Sequence, residues 1–170
     1  FCYWQYLTSA LSLSLYGTLD QNTTFFNQAQ ILTGNLNGTY NIICFTIAFA
    51  MIPLAKKLSA KKLHFLSLSI GGIGLLCMPF LNDVHILFTL PFGNGIDISQ
   101  IYLFSFGLGI TWASMMAMPY QMLASSIPYG KTGIYMGIFN MFIVVPMIIQ
   151  IFSVQYLVYD LLDQNPINII

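Results

Sequence analysis

Five long apolar stretches divide this chain of 170 residues, and its charged residues lie in the segments between them. The lysines fall between the second and third stretches and between the fourth and fifth, whereas the aspartates follow the first, third and fifth. If each stretch crosses a bilayer once, every lysine lies on one side and every aspartate on the other. Because short basic loops are retained in the cytoplasm, we expect the lysine side to be cytoplasmic. The residues concerned are Lys56, Lys57, Lys61, Lys62 and Lys131, and Asp20, Asp83, Asp97, Asp160 and Asp163.

The scarcity of charge supports a membrane location. Charged residues make up 6% of the chain and hydrophobic residues 57%, whereas a soluble domain has about 25% charged residues. A soluble chain of this composition would expose large apolar patches and associate. We therefore expect a multi-pass protein of the cell (inner or plasma) membrane, with the lipid bilayer as its surroundings. The net charge of zero gives no reason to expect nucleic acid as a partner.

The length of the apolar stretches predicts helices. Each is near the roughly 20 residues that a membrane helix needs, against about 10 for a barrel strand. The predicted spans are about 1–17, 39–55, 63–81, 101–124 and 134–154. Between them we predict a polar loop over Asp20–Gly38, a segment Asn82–Gln100 whose apolar run His85–Leu90 is interfacial, and a tail Gln155–Ile170 outside the spans. The fold class is thus all-α, and the start at Phe1 inside a span indicates a piece of a longer protein.

Polar residues inside three of the spans recur at helical spacing. The stripes are Gln5, Ser9, Ser12 and Tyr16 in the first span, Gly107, Thr111, Ser114, Met118, Gln121 and Ser125 in the fourth, and Asn140 and Gln150 with Met136, Ile143 and Met147 in the fifth. Amides are costly in hydrocarbon unless they have partners, so these faces should point inward. Two interpretations remain open. The stripes are either helix–helix contacts or the lining of an aqueous cavity for a polar, uncharged solute.

Other features of the chain are predicted to be structural. Ser105, Gly109, Ala113 and Ala117 recur every four residues, as do Gly133 and Gly137, and small residues at this spacing let helices approach closely. His64 and His85 lie at span ends, where a solvated histidine is the expectation. The spans contain no carboxylate, and we find no catalytic, metal-binding or cofactor-binding pattern. An enzyme is therefore not expected.

The stretch Gly107–Gln150 resembles the fourth and fifth helices of the second half of major facilitator superfamily sugar carriers. It is most similar to the sucrose and maltose type, related to plant sucrose transporters and to glycoside–pentoside–hexuronide carriers. The motifs that make the resemblance are Trp112-Ala113-Ser114, Pro119-Tyr120, Ile127-Pro128, Lys131-Thr132-Gly133 and Gly137-Ile138-Phe139-Asn140, with a degenerate basic loop at Leu54–His64, Trp4-Gln5-Tyr6 at the start, and Gly38–Phe45.

The resemblance implies that the chain covers helices seven to eleven of a twelve-helix fold, with an N-terminal half of the same protein as its partner. Such carriers bind substrate between two halves near the midplane and work by rocking them. The implied function is secondary transport of a di- or oligosaccharide such as maltose or sucrose, coupled to a proton. The alternative is a membrane scaffold or assembly subunit whose polar stripes only hold helices together.

Six residues are candidates for sugar binding. The spacing of the polar stripes puts Gln5 and Asn140 on inward faces. The resemblance to sugar carriers puts Trp112 and Asn140 in its most recognisable motifs. Amides donate to and accept from hydroxyl groups, and aromatic faces stack on the apolar faces of sugars. The candidates are Gln5, Asn41, Trp112 and Asn140, with Tyr120 and Gln121 as weaker ones.

Overall fold

The computed structural model of the chain describes residues 2–80, 85–91, 96–128 and 130–169. Within those ranges the fold is helical, with one two-stranded antiparallel sheet. The elements are α1 (Cys2–Tyr16), α2 (Thr24–Leu58), α3 (Ala60–Cys77), β1 (Ile86–Leu90), β2 (Ile96–Ser99), α4 (Leu103–Ala124), α5 (Thr132–Ser153) and the short α6 (Tyr159–Leu161), with a π-helical turn Val154–Val158 between the last two. The predicted helical class is confirmed, and each predicted span contains a helix.

Within the described ranges, three helical segments are long and apolar enough to cross a membrane. They are Thr24–Leu58, Gln100–Ala124 and Thr132–Leu161. α1 and α3 are not among them. By their length and composition these helices are candidate membrane spans and indicate a membrane protein, whereas five crossings remain a prediction.

The predicted polar loop Asp20–Gly38 is wrong over most of its length, because α2 already begins at Thr24. Thr23 caps this helix: the backbone N–H of Phe26 donates to Thr23 Oγ1 at 3.2 Å, which satisfies a donor of the first turn. Phe26, Ala29 and Leu32 then recur on one face and are buried. Three apolar residues at helical spacing outweigh the many amides between them, which stay on the outer face.

The segment whose apolar run is predicted to be interfacial contains a β-hairpin. β1 pairs with β2 in antiparallel register, with Phe88 opposite Ile98 and Thr89 opposite Asp97, and a bulge interrupts the ladder between Ile86 and Phe88. The apolar run thus forms a strand. Asp83 and the other residues of 81–84 and 92–95 lie outside the described residues.

The predicted end of the fifth span near Val154 is also wrong. The helix continues through Val154–Val158 as a π-helical turn and then through α6 to Leu161. Val154 itself is buried, so this extension packs against the protein and does not end as a free tail. The short turn Pro166–Asn168 follows, and Pro166 is buried.

The chain divides into two compact units. The terminal unit comprises Phe1–Gly34 and Ile127–Ile170, and the central unit comprises Asn35–Ser126. In the terminal unit α1 buries Tyr3, Leu7, Ala10 and Leu11, while α5 buries none of its residues.

In the central unit α4 packs closely against both α2 and α3. Met51 of α2, Leu63 of α3, and Ala113 and Met118 of α4 form one buried cluster. The order of the elements puts the hairpin on the connection between α3 and α4.

Candidate functional site

Polar side chains join the start of α1 to the end of α5 in the terminal unit. The Gln150 side chain reaches α1 from α5, and its Nε2 donates to Gln5 Oε1 at 3.1 Å and to Cys2 Sγ at 3.2 Å. Gln5 and Gln150 belong to two of the predicted polar stripes, so these stripes meet. The two amides form the centre of the candidate site.

Aromatic groups adjoin this amide pair. The Tyr6 hydroxyl donates to Gln155 Oε1 at 3.5 Å, and the Tyr6 ring stacks on Tyr159 with centroids 5.6 Å apart and planes at 29°. The π-helical turn and α6 supply Gln155 and Tyr159. We call Cys2, Gln5, Tyr6, Gln150, Gln155 and Tyr159 the amide–aromatic cluster.

One atom of the cluster has an unmet hydrogen-bonding capacity. Gln150 Oε1 is buried and accepts no hydrogen bond from any described residue. If the amide were turned over, its two donors would occupy the same buried position, so one polar end is unsatisfied in either orientation. A buried unsatisfied polar group costs about 1–3 kcal/mol. A donor brought to this oxygen would recover that free energy.

The amide–aromatic cluster contains no charged side chain. Its members offer amide donors and acceptors, two phenol rings and a thiol, and none is a carboxylate or an ammonium group. Amides bond hydroxyl groups in both directions. No group of three or more residues that could hold a metal ion lies within the described ranges. The cluster therefore suits an uncharged hydroxylated ligand better than an ion.

The polar stripe of α4 has a different role, because two of its members contact α3. The Thr111 hydroxyl donates to the backbone oxygen of Ser67 at 2.7 Å. Ser114 is fully buried, and its Oγ lies 2.9 Å from His64 Nδ1. The expectation that His64 is a solvated terminal histidine is therefore wrong: its side chain is half-buried and contacts the buried serine of α4. These contacts favour helix–helix association.

Small residues let α4 approach its two neighbours. A Cβ on Gly71 would overlap Thr111 Oγ1, and one on Gly107 would lie 3.0 Å from the Ile70 backbone oxygen. A Cβ on Gly109 would lie 2.8 Å from the backbone oxygen of Tyr40 on α2. The predicted small-residue packing is confirmed for Gly109.

The second small-residue repeat makes no such contact. A Cβ at either Gly133 or Gly137 would meet no atom of the described chain within 4 Å. These glycines of α5 therefore leave an open surface where a close helix approach is predicted.

The six predicted site residues are divided between the two units. Gln5 lies in the amide–aromatic cluster, and Asn140 is exposed on α5 of the same unit. Asn41, Trp112, Tyr120 and Gln121 belong to the central unit, where Asn41 and Gln121 are exposed and the two aromatic residues are half-buried. The Asn41 amide donates to the backbone oxygen of Asn37, one turn earlier. The structure thus brings one of the six into the cluster, and sugar binding by all six stays a prediction.

Five cluster members are absent from the predicted site: Cys2, Tyr6, Gln150, Gln155 and Tyr159. The sequence analysis includes Gln150 only in the polar stripe of the fifth span, and it includes Gln155 and Tyr159 only in the predicted tail. The signal for Gln150 was its amide inside an otherwise apolar span. No signal pointed to Gln155 and Tyr159, because their position depends on the continuation of the helix beyond Val154.

No protein-family model, no curated protein and no solved structure matches this chain. The resemblance to sugar carriers therefore rests on the sequence motifs alone.

Proposed function

We propose that this chain is part of a secondary carrier that moves a di- or oligosaccharide across the membrane by proton symport and alternating access. The observation that carries the proposal is the buried Gln150 Oε1, which has no donor among the described residues although it lies in an amide pair with Gln5. A sugar hydroxyl is a donor of the right kind. Its arrival would complete the hydrogen bonding of the pair.

The proposed substrate is neutral because the cluster is neutral. A charged solute entering an apolar membrane environment needs an opposite charge to offset its desolvation. None is present in the cluster, and the predicted spans contain no acid. A site built from amides instead selects for hydroxyl groups, since a ligand lacking them leaves buried polar atoms unpaired.

The aromatic residues support the same substrate class. Tyr6 and Tyr159 are stacked next to the amides, and their rings provide apolar area beside polar tips. A pyranose ring has one apolar face and a rim of hydroxyl groups. Stacking and amide hydrogen bonds together would fix its orientation.

The five predicted site residues outside the amide–aromatic cluster are proposed to belong to the same sugar-binding site. In the twelve-helix architecture a substrate lies between two halves near the midplane. Asn41, Trp112, Tyr120, Gln121 and Asn140 are proposed to contact the sugar there. The coupling proton would be carried by groups of the other half, because no acid lies in the predicted spans.

The test is sugar binding to the purified gene product that contains this chain. Titration calorimetry with maltose and sucrose should show saturable binding, and Gln150→Leu should weaken it at least tenfold without preventing folding. Gln28→Leu is the matched control, because Gln28 is exposed on α2 and lies outside the cluster. Asn140→Leu should also weaken binding. Unchanged affinity in folded Gln150→Leu protein would contradict the proposed site.

The scaffold alternative has its own supporting observation. Thr111, Ser114 and His64 hold α4 against α3, as helix-joining polar groups do. If the amide–aromatic cluster has the same role, Gln150→Leu lowers the melting temperature and the wild-type protein binds neither sugar. Sugar-dependent alkalinisation of the medium by cells that express the protein would instead favour proton symport.

A further inference from the structure

The hairpin formed by β1 and β2 has two chemically different faces. Opposite residues of an antiparallel pair lie on one face, and neighbours along a strand alternate between faces. Phe88 pairs with Ile98, while Thr89 pairs with Asp97. The Thr89 hydroxyl donates to Asp97 Oδ1 at 2.7 Å, which fixes that pair on the polar face. The hairpin is therefore amphipathic.

The apolar face is only partly covered by the described chain. The Phe88 side chain is 54% exposed, and the Ile98 side chain opposite it is half-buried. An isolated two-stranded hairpin is marginally stable in water unless an apolar face packs on something. The hairpin thus needs a further apolar surface.

The backbone sets a limit on where that surface lies. The sheet has two strands, so each strand has one edge without a strand partner among the described residues. Open strand edges do not occur in the hydrocarbon core, where their N–H and C=O groups would have no partner. The hairpin cannot be immersed in the membrane, although its apolar face requires a non-aqueous contact.

The connection to α4 places the hairpin at the membrane boundary. The backbone N–H of Gln100 donates to the His85 oxygen at 3.0 Å and closes the base of the hairpin. Gln100 is also the first residue of the candidate span Gln100–Ala124. Strands of four and five residues extend about 17 Å at most from that point.

We infer that the hairpin is a membrane-interface element that rests its Phe88/Ile98 face on the lipid bilayer. The headgroup boundary is the layer that meets both requirements, since it offers acyl chains to the apolar face and water to the strand edges. Thr89 and Asp97 then face the aqueous side. By the charge distribution of the chain, this is the leaflet opposite the lysine loops.

Two adjacent labels test the inference. Nitroxides are attached at Phe88→Cys and, separately, at Thr89→Cys in the full gene product, with Cys2, Cys44 and Cys77 replaced by alanine and the protein reconstituted in phosphatidylcholine vesicles. The expected result at position 88 is several-fold greater collision with oxygen, which dissolves in lipid, than with a water-soluble nickel chelate. The expected ratio at position 89 is reversed.

Three results would overturn the inference. A nickel-dominated label at position 88 would place the hairpin in water, and shielding from both reagents would mean that protein, such as a second copy of this chain, covers the face. An oxygen-dominated label at position 89 would mean immersion. If Phe88→Cys does not fold, Phe88→Trp retains an aromatic ring, and quenching of the added Trp fluorescence by brominated lipid replaces the nitroxide. Quenching no stronger than at Thr89→Trp would overturn the inference equally.

Discussion

The side-chain amides of Gln5 and Gln150, 145 positions apart in the chain, are joined by a 3.1 Å hydrogen bond. The bond ties α1 to the end of α5, a helix that has no fully buried residue. Hydrogen bonds between membrane helices contribute about 0.6 kcal/mol on average and up to about 1.7 kcal/mol. This contact is therefore an important link within the terminal unit.

A double-mutant cycle should detect this bond. Gln5→Leu and Gln150→Leu, alone and together, should show a coupling of about 0.6–1.7 kcal/mol in the free energy of unfolding. Gln5→Leu should cost more than Gln150→Leu, because it leaves the half-buried Gln150 amide with the weak acceptor Cys2 Sγ in place of two acceptors, whereas Gln150→Leu removes the unsatisfied Oε1 as well. Unfolding of the detergent-purified gene product measures all four. Additive losses would mean that the two amides do not interact.

The interface between α3 and α4 offers a second test in two adjacent glycines. Gly71→Ala should destabilise the protein by about 1–3 kcal/mol, because the added methyl group overlaps Thr111 Oγ1 and crowds a packed contact. Gly72→Ala is the matched control, since it meets no atom within 4 Å and alanine favours a helix. The midpoint of thermal unfolding compares the two variants. Equal midpoints would contradict the close approach at Gly71.

The helices were predictable because hydrophobic length determines them, but α2 shows how that signal can mislead. The sequence from Thr24 to Gly38 is rich in amides and glycine, which are typical of a loop. Its helix depends on Phe26, Ala29 and Leu32, three apolar residues whose shared face becomes clear only when their burial is known. A stripe this narrow does not raise the average hydropathy.

The candidate site was less predictable, for a physical reason. Polar spacing along one helix identifies an inward face but not its partner, and Gln150 meets Gln5 through a long-range contact. Thr111 and Ser114 have the same kind of spacing, yet they contact α3. The same pattern therefore produces a possible ligand site in one unit and a helix contact in the other.

The buried Ser114 hydroxyl provides a third prediction. Ser114→Ala should lower the free energy of unfolding by about 0.5–1.5 kcal/mol, because His64 Nδ1 loses its hydrogen-bond partner. Ser69→Ala on α3 is the control, since the hydroxyl of the half-buried Ser69 donates to the backbone oxygen of Phe65 one turn earlier and makes no contact with His64. Chemical denaturation of both variants gives the comparison. A loss for Ser69→Ala as large as for Ser114→Ala would mean that the His64 contact adds no stability.

The last prediction concerns the two ends of α2. Asn22 precedes this helix and Ser59 follows it, so a helix that crosses the bilayer puts them on opposite sides, whatever the number of other crossings. Ser59 lies between Lys57 and Lys61 and should be cytoplasmic, because the cytoplasm retains short basic segments. Single cysteines at the two positions, in protein whose native cysteines are replaced, are treated in whole cells with an impermeant maleimide. Asn22→Cys should react at once, whereas Ser59→Cys should react only after the membrane is permeabilised, and that second reaction also shows that the cysteine is accessible. Reaction of both from outside would mean that α2 does not cross, and reaction of Ser59→Cys alone would reverse the orientation that the lysines predict.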